Sequence, residues 1–73
     1  MTGSLHTAAY KRFIERLRTA RLEAGLTQVQ VAQILHLPQS VISKSENGER
    51  RVDVVELARL SALYRKPLDW FVG

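Results

Sequence analysis

Apolar residues along this chain recur at steps of three and four with polar residues between them, the period of helices throughout. Tyr10, Phe13, Ile14, Leu17, Ala20 and Ala24 form the first such set. They predict an amphipathic helix from about Thr7 to Ala24, stopped at Gly25, whose other face is Lys, Arg and Glu. Thr27 then offers an N-cap oxygen. Gln30, three residues on, completes a capping-box pattern for a second helix with Val31 and Leu35 turned inward. That helix lasts barely two turns, because His36-Leu37-Pro38 interrupts it. The residue before a proline is pushed out of the helical region, and the proline itself fits only a first turn. A third helix follows from about Pro38 to Glu46 and ends at Asn47-Gly48, a pair that tolerates left-handed backbone. Asp53 with Glu56 repeats the capping pattern for a fourth. There Val54, Leu57, Ala58, Leu60, Ser61 and Tyr64 spread over a wide apolar arc, which predicts a central position. Pro67 opens a fifth, carrying Leu68, Trp70 and Phe71. The expected architecture is all-α, one compact five-helix domain spanning residues 1–73 with residues 1–6 frayed.

Composition removes several classes of function. At 73 residues the chain is near the lower limit at which an apolar core alone holds a fold, and it has little room for an enzyme cleft. It contains no Cys, so disulfides and thiolate metal sites are out, and His6 and His36 have no partner at ligand spacing. No metal or cofactor is expected. His6 reads as an exposed terminal residue and His36 as a turn residue. Ser43, His36 and Asp53 are the residue types of a hydrolase, but no nucleophile elbow or oxyanion turn accompanies them, and no catalytic activity is expected. The N-terminal stretch lacks a signal-peptide pattern and no apolar run is long enough to cross a bilayer, so a cytoplasmic protein with no membrane partner is the expectation. Eleven Lys and Arg against seven Asp and Glu leave a net charge of +4, which suits a polyanionic partner. On the first helix Lys11, Arg12, Arg16 and Arg18 spread around two faces with Glu15 among them. They suggest solubility and weak attraction to phosphate, with no membrane-binding stripe.

The third helix carries the most specific chemistry. At about 100° per residue, Gln39, Ser40, Ser43, Lys44 and Asn47 fall within one arc, while Val41, Ile42 and Ser45 point the other way. The outward arc is polar and, apart from one lysine, uncharged. Gln pairs bidentately with adenine, Lys donates to guanine and Ser reaches any base edge, so this face is chemically able to read a DNA major groove.

Spacing strengthens that reading. Gly25-Leu26-Thr27-Gln28, Val31-Ala32, Leu35, Leu37, Ile42-Ser43 and Glu46-Asn47-Gly48 stand at the offsets of a helix-turn-helix. The run resembles the phage-repressor-like family, the Cro and Xre type of bacterial and phage transcription regulators, with a lambda-repressor-like fold. Arg21, Leu57, Leu60 and Pro67-Leu68-Asp69-Trp70-Phe71 extend the resemblance beyond the motif, to about nine-tenths of the chain. It implies a helix-turn-helix formed by the second and third helices, and an ion pair between Arg21 and Glu46. Three positions depart from the pattern. His36 stands at the turn where the family usually has Gly, and a positive φ there costs a His about 1 kcal/mol. Ser45 occupies a buried-face position usually held by a large apolar residue, so Ser45→Ile is expected to add about 1 kcal/mol if a void lies beside it. Arg65 replaces the Gly that commonly ends the fourth helix.

Together these features predict sequence-specific binding of double-stranded DNA by a transcriptional regulator, a repressor acting by operator occlusion. Gln39, Ser40, Ser43 and Lys44 are the expected base readers. Thr27, Gln28, Asn47, Arg50 and Arg51 are the expected phosphate contacts. One short helix covers few base pairs, so a homodimer on a near-palindromic operator is expected, with half-sites about 34 Å apart. Its interface is placed around Lys66, Pro67, Leu68 and Phe71. The competing class is an antitoxin or adaptor whose main partner is a protein and whose DNA binding is secondary.

Overall fold

The computed structural model describes residues 7–73; His6 and the expected fraying of residues 1–6 lie outside the described residues. Those residues form five helices: α1 (Ala8–Glu23), α2 (Gln28–Leu35), α3 (Gln39–Glu46), α4 (Val54–Tyr64) and α5 (Leu68–Val72). Local chemistry sets their ends. Thr7 caps α1 by accepting from the Tyr10 amide at 3.1 Å. Gly25 ends it at φ 73°, with its own amide bonded to the Leu22 carbonyl and that of Leu26 to Arg21, a Schellman closure. The capping box of α2 is complete: Thr27 Oγ1 accepts from the Gln30 amide and Gln30 Oε1 accepts from the Thr27 amide. Pro38 is the N-cap of α3 rather than its first residue, so that helix starts at Gln39. Asp53 caps α4 through the Glu56 amide at 2.8 Å, but the Glu56 carboxylate turns elsewhere, so this capping box is only half formed.

His36 and Arg65 end α2 and α4 in the left-handed conformation, each at φ 58°. The Leu37 amide then reaches the Ala32 carbonyl and the Lys66 amide reaches Ser61, closures that a glycine would make without strain. Gly48 does the same for α3 at φ 78°, while Asn47 stays right-handed. Gly48 also meets Ile14 of α1: a Cβ there would stand 3.2 Å from Ile14 Cδ1, so a side chain would press on the end of the Ile14 side chain.

Phe13, Leu17 and Ala20 of α1 join Val31, Ala32, Leu35, Ile42, Leu60, Tyr64 and Phe71 in the core. Helix α1 is the hub, packing on α3, α4 and α5, while α2 and α3 pack on each other. This corrects the central position expected for α4. Only Leu60 and Tyr64 of its apolar arc are buried, and Val54 and Val55 are 72 % and 68 % exposed, because none of the described elements covers the outer side of its first turn. Among the described residues no helix is long and apolar enough to cross a membrane.

Candidate nucleic-acid interface

Helix α3 is held by its inner face and presents its outer one. Ile42 and Ser45 are buried against the core, whereas Gln39, Ser40, Lys44 and Asn47 are exposed and Ser43 is half-buried. Below the C-terminal end of α3, Arg21 Nε donates to Glu46 Oε2 at 2.7 Å and Arg21 Nη2 donates to Glu46 Oε1 at 3.0 Å. The two side chains are 9 % and 5 % exposed. Arg21 Nη1 also donates to the Leu26 carbonyl, which ties the α1–α2 connection to the same guanidinium. Hydrogen bonds donated to the Glu46 carboxylate hold Arg21 above its ordinary basicity, against the opposing effect of burial. Burial likewise pushes the neighbouring Tyr64 phenol up, with the Glu46 charge adding to it.

The buried pair continues outward to the exposed arc. Gln28 Nε2 donates to Glu46 Oε1 at 3.1 Å, and Gln28 Oε1 accepts from Gln39 Nε2 at 3.4 Å. A carboxylate only accepts, so it fixes which way the Gln28 amide faces, and Gln28 in turn fixes Gln39. One N–H and the whole carbonyl oxygen of Gln39 then remain for an outside partner. That is the donor and acceptor pair that matches N7 and N6 of adenine. Gln28 was expected at a phosphate; its side chain also links the ion pair to the first residue of α3.

The remaining expected contacts divide by what already holds them. Thr27 caps α2, whose first-turn amides at Gln28 and Val29 lack intrahelical partners and point fixed positive partial charge outward. Asn47 Nδ2 makes a long contact with Glu49 Oε2 at 3.5 Å. The Lys44 and Arg51 side chains are exposed and make no hydrogen bond or ion pair among the described residues.

Arg50, expected at a phosphate, is turned inward. Its Nη1 and Nη2 donate to the two Glu56 oxygens at 2.7 and 2.6 Å, and Nη1 also reaches Ser45 Oγ at 3.3 Å. Ser45 Oγ meanwhile donates to the Val41 carbonyl at 2.7 Å. A small cavity of about 20 Å³ does adjoin Ser45, lined also by Leu17, Leu35 and Leu60. The gain expected from Ser45→Ile is therefore set against the loss of a hydroxyl that joins α3 to Arg50.

The expected subunit interface also changes. Phe71 is fully buried, packed edge-on to Phe13 and Trp70, and so presents nothing to a second subunit. Lys66 Nζ pairs with Glu23 at 2.8 Å and lies 4.7 Å above the Trp70 ring. Pro67 and Leu68 remain exposed. Two fastenings escaped sequence reasoning because their partners lie far off in the chain. Arg59 Nη2 donates to the Leu35 carbonyl at the end of α2, and Arg16 Nη1 donates to the carbonyls of Trp70 and Gly73.

A helix-turn-helix family model (HTH_3) matches residues 17–71. The chain is also 36 % identical, over 59 residues, to the HTH-type transcriptional regulator ImmR of Bacillus subtilis (strain 168). The match covers 81 % of this chain and 46 % of ImmR, so the chain spans about half the length of that relative. With α2 and α3 packed across the His36 turn and the Arg21–Glu46 pair beneath them, the chain belongs to the phage-repressor-like, Cro/Xre-type helix-turn-helix family of DNA-binding regulators.

Proposed function

We propose that this chain binds double-stranded DNA in a sequence-specific way as a transcriptional regulator, with α3 in the major groove, and that it represses by occluding its operator. The observation that carries the reading is the chain of contacts from Arg21 through Glu46 and Gln28 to Gln39. It aims an amide at the solvent from the exposed first residue of a helix, where a hydrated surface residue needs no aim. Gln39 reads adenine, and Ser40, Ser43 and Lys44 read neighbouring base edges. Thr27, the first-turn amides of α2, Asn47 and Arg51 fix the docking through phosphates. Arg50 acts indirectly, by holding the loop that presents Arg51.

The protein works in the cytoplasm of a bacterium, or in a phage-infected one, with no cofactor. Two copies read a near-palindrome, and the interface is reduced to Pro67 and Leu68 with Lys66 at its rim. Selection of bound duplexes from a random pool tests the reading. The expected result is an enriched motif with adenine at fixed positions and approximate two-fold symmetry. A pool that stays random contradicts it and favours a protein-binding adaptor.

A further inference from the structure

The basic side chains of this chain fall into two groups. Arg16, Arg21, Arg50, Arg59 and Lys66 are each bonded to a carboxylate or a carbonyl within the domain. Lys11, Arg12, Arg18, Lys44, Arg51 and Arg65 make no such bond among the described residues, and all six are exposed. Lys44 and Arg51 already belong to the proposed DNA surface. The others differ in where they stand relative to it.

Two contacts fix which side of α1 borders that surface. Ile14 abuts Gly48, just past the end of α3, and Arg21 pairs with Glu46, the last residue of α3. Around the helix axis, Arg21 lies about 20° from Ile14 on its core side, while Arg18 and Lys11 lie about 40° and 60° from it on the solvent side. Arg18 is thus one turn beyond Ile14 and Lys11 one turn before it, on the edge of α1 that runs along the α3–α4 connection. Arg12 points about 160° away. Glu15 and Glu49 are the acidic residues nearest this edge in the chain, and neither forms an ion pair with Lys11 or Arg18.

The geometry points to a second DNA-backbone contact on α1, formed by Lys11 and Arg18 and continuous with Arg51 across Gly48. This rests on the proposed docking of α3 and adds to it a grip on the phosphates flanking the groove. The two cations stand about 10 Å apart along the helix axis, so each reaches its own phosphate. Neither reads sequence. They raise affinity for any duplex and make it more dependent on salt.

The test is equilibrium binding across a range of salt concentrations to two duplexes, one carrying the site selected from the random pool and one of scrambled sequence. Arg18→Ala and Lys11→Ala are each expected to lower the slope of log affinity against log salt by about 0.9, on both duplexes alike, with the preference between them unchanged. Arg18→Lys is expected to restore the slope. Arg12→Ala, on the opposite face, is expected to keep the wild-type slope and serves as the control for lost net charge. Melting curves matching wild type confirm that the variants fold. Wild-type slopes for Arg18→Ala and Lys11→Ala, or the same reduction for Arg12→Ala, overturn the inference while leaving the α3 reading in place. A wild-type protein that binds neither duplex overturns both.

Discussion

Gln39 donates a hydrogen bond to Gln28 across the helix-turn-helix, Nε2 to Oε1 at 3.4 Å, and the same Gln28 donates to the buried Glu46 carboxylate. The residue proposed to meet the base is thereby oriented from below. Gln28→Ala removes the orientation without touching the reading amide, so it should lose part of the preference for the selected site. Once Gln39 is alanine, the orientation has nothing left to act on. The double variant is then expected to bind the selected duplex no worse than Gln39→Ala alone, with a coupling of about 1 kcal/mol in a double-mutant cycle. Losses that add to within about 0.3 kcal/mol would show that the two residues act independently.

The ion pair under α3 is expected to be far more costly to break than it is stabilising to keep. Both partners are almost wholly buried, and removing one strands the other's charge. Arg21→Ala and Glu46→Ala should each cost about 3 kcal/mol. In a domain of this size that corresponds to a fall of roughly 12 °C or more in melting temperature. Unchanged melting of both variants would mean that the pair does not form in solution.

The Arg50–Glu56 pair predicts a pH dependence with a definite sign. Hydrogen bonds from Arg50, and its charge, hold the Glu56 carboxyl below its ordinary value of 4.5, against burial and the nearby Asp53. Because the folded value is the depressed one, the stabilisation is complete above about pH 4.5 and is lost as the pH falls through the folded value. Arg50 is shifted upward, so it stays charged throughout. Glu56→Gln should therefore melt below wild type at neutral pH, with the gap closing in acid. A gap that stays constant down to about pH 2 would remove Glu56 as its source.

What was legible in the sequence follows from the range of each interaction. Helix ends are written within four or five residues, in Thr27 with Gln30, in Gly25, and in Gly48, so the five elements and their order are readable directly. The outward arc of α3 follows from period alone. Coverage does not: periodicity gives the width of the apolar arc of α4 but not that Val54 and Val55 would lie open to solvent. Nor does it say that Phe71 would be sealed in the core by Phe13. Partner choice is still less legible. Nothing local to Arg50 distinguishes a phosphate ligand from a partner of Glu56, since the intervening turn has no fixed repeat to set them face to face. Ser45 shows the same limit, because its bond to Val41 is helical and foreseeable while its contact with Arg50 is not.

The most direct test of the central claim is the affinity of Gln39→Ala and Lys44→Ala for the selected duplex and for a scrambled one. Base readers lose their partners only on the correct sequence. Each substitution is therefore expected to cost about 1 to 3 kcal/mol on the selected site and much less on the scrambled one, flattening the preference. An equal loss on both duplexes for Lys44→Ala alone would move its ammonium to a phosphate and leave Gln39 as the reader. If both variants bind the selected duplex as tightly as wild type, α3 does not read DNA and the account is contradicted.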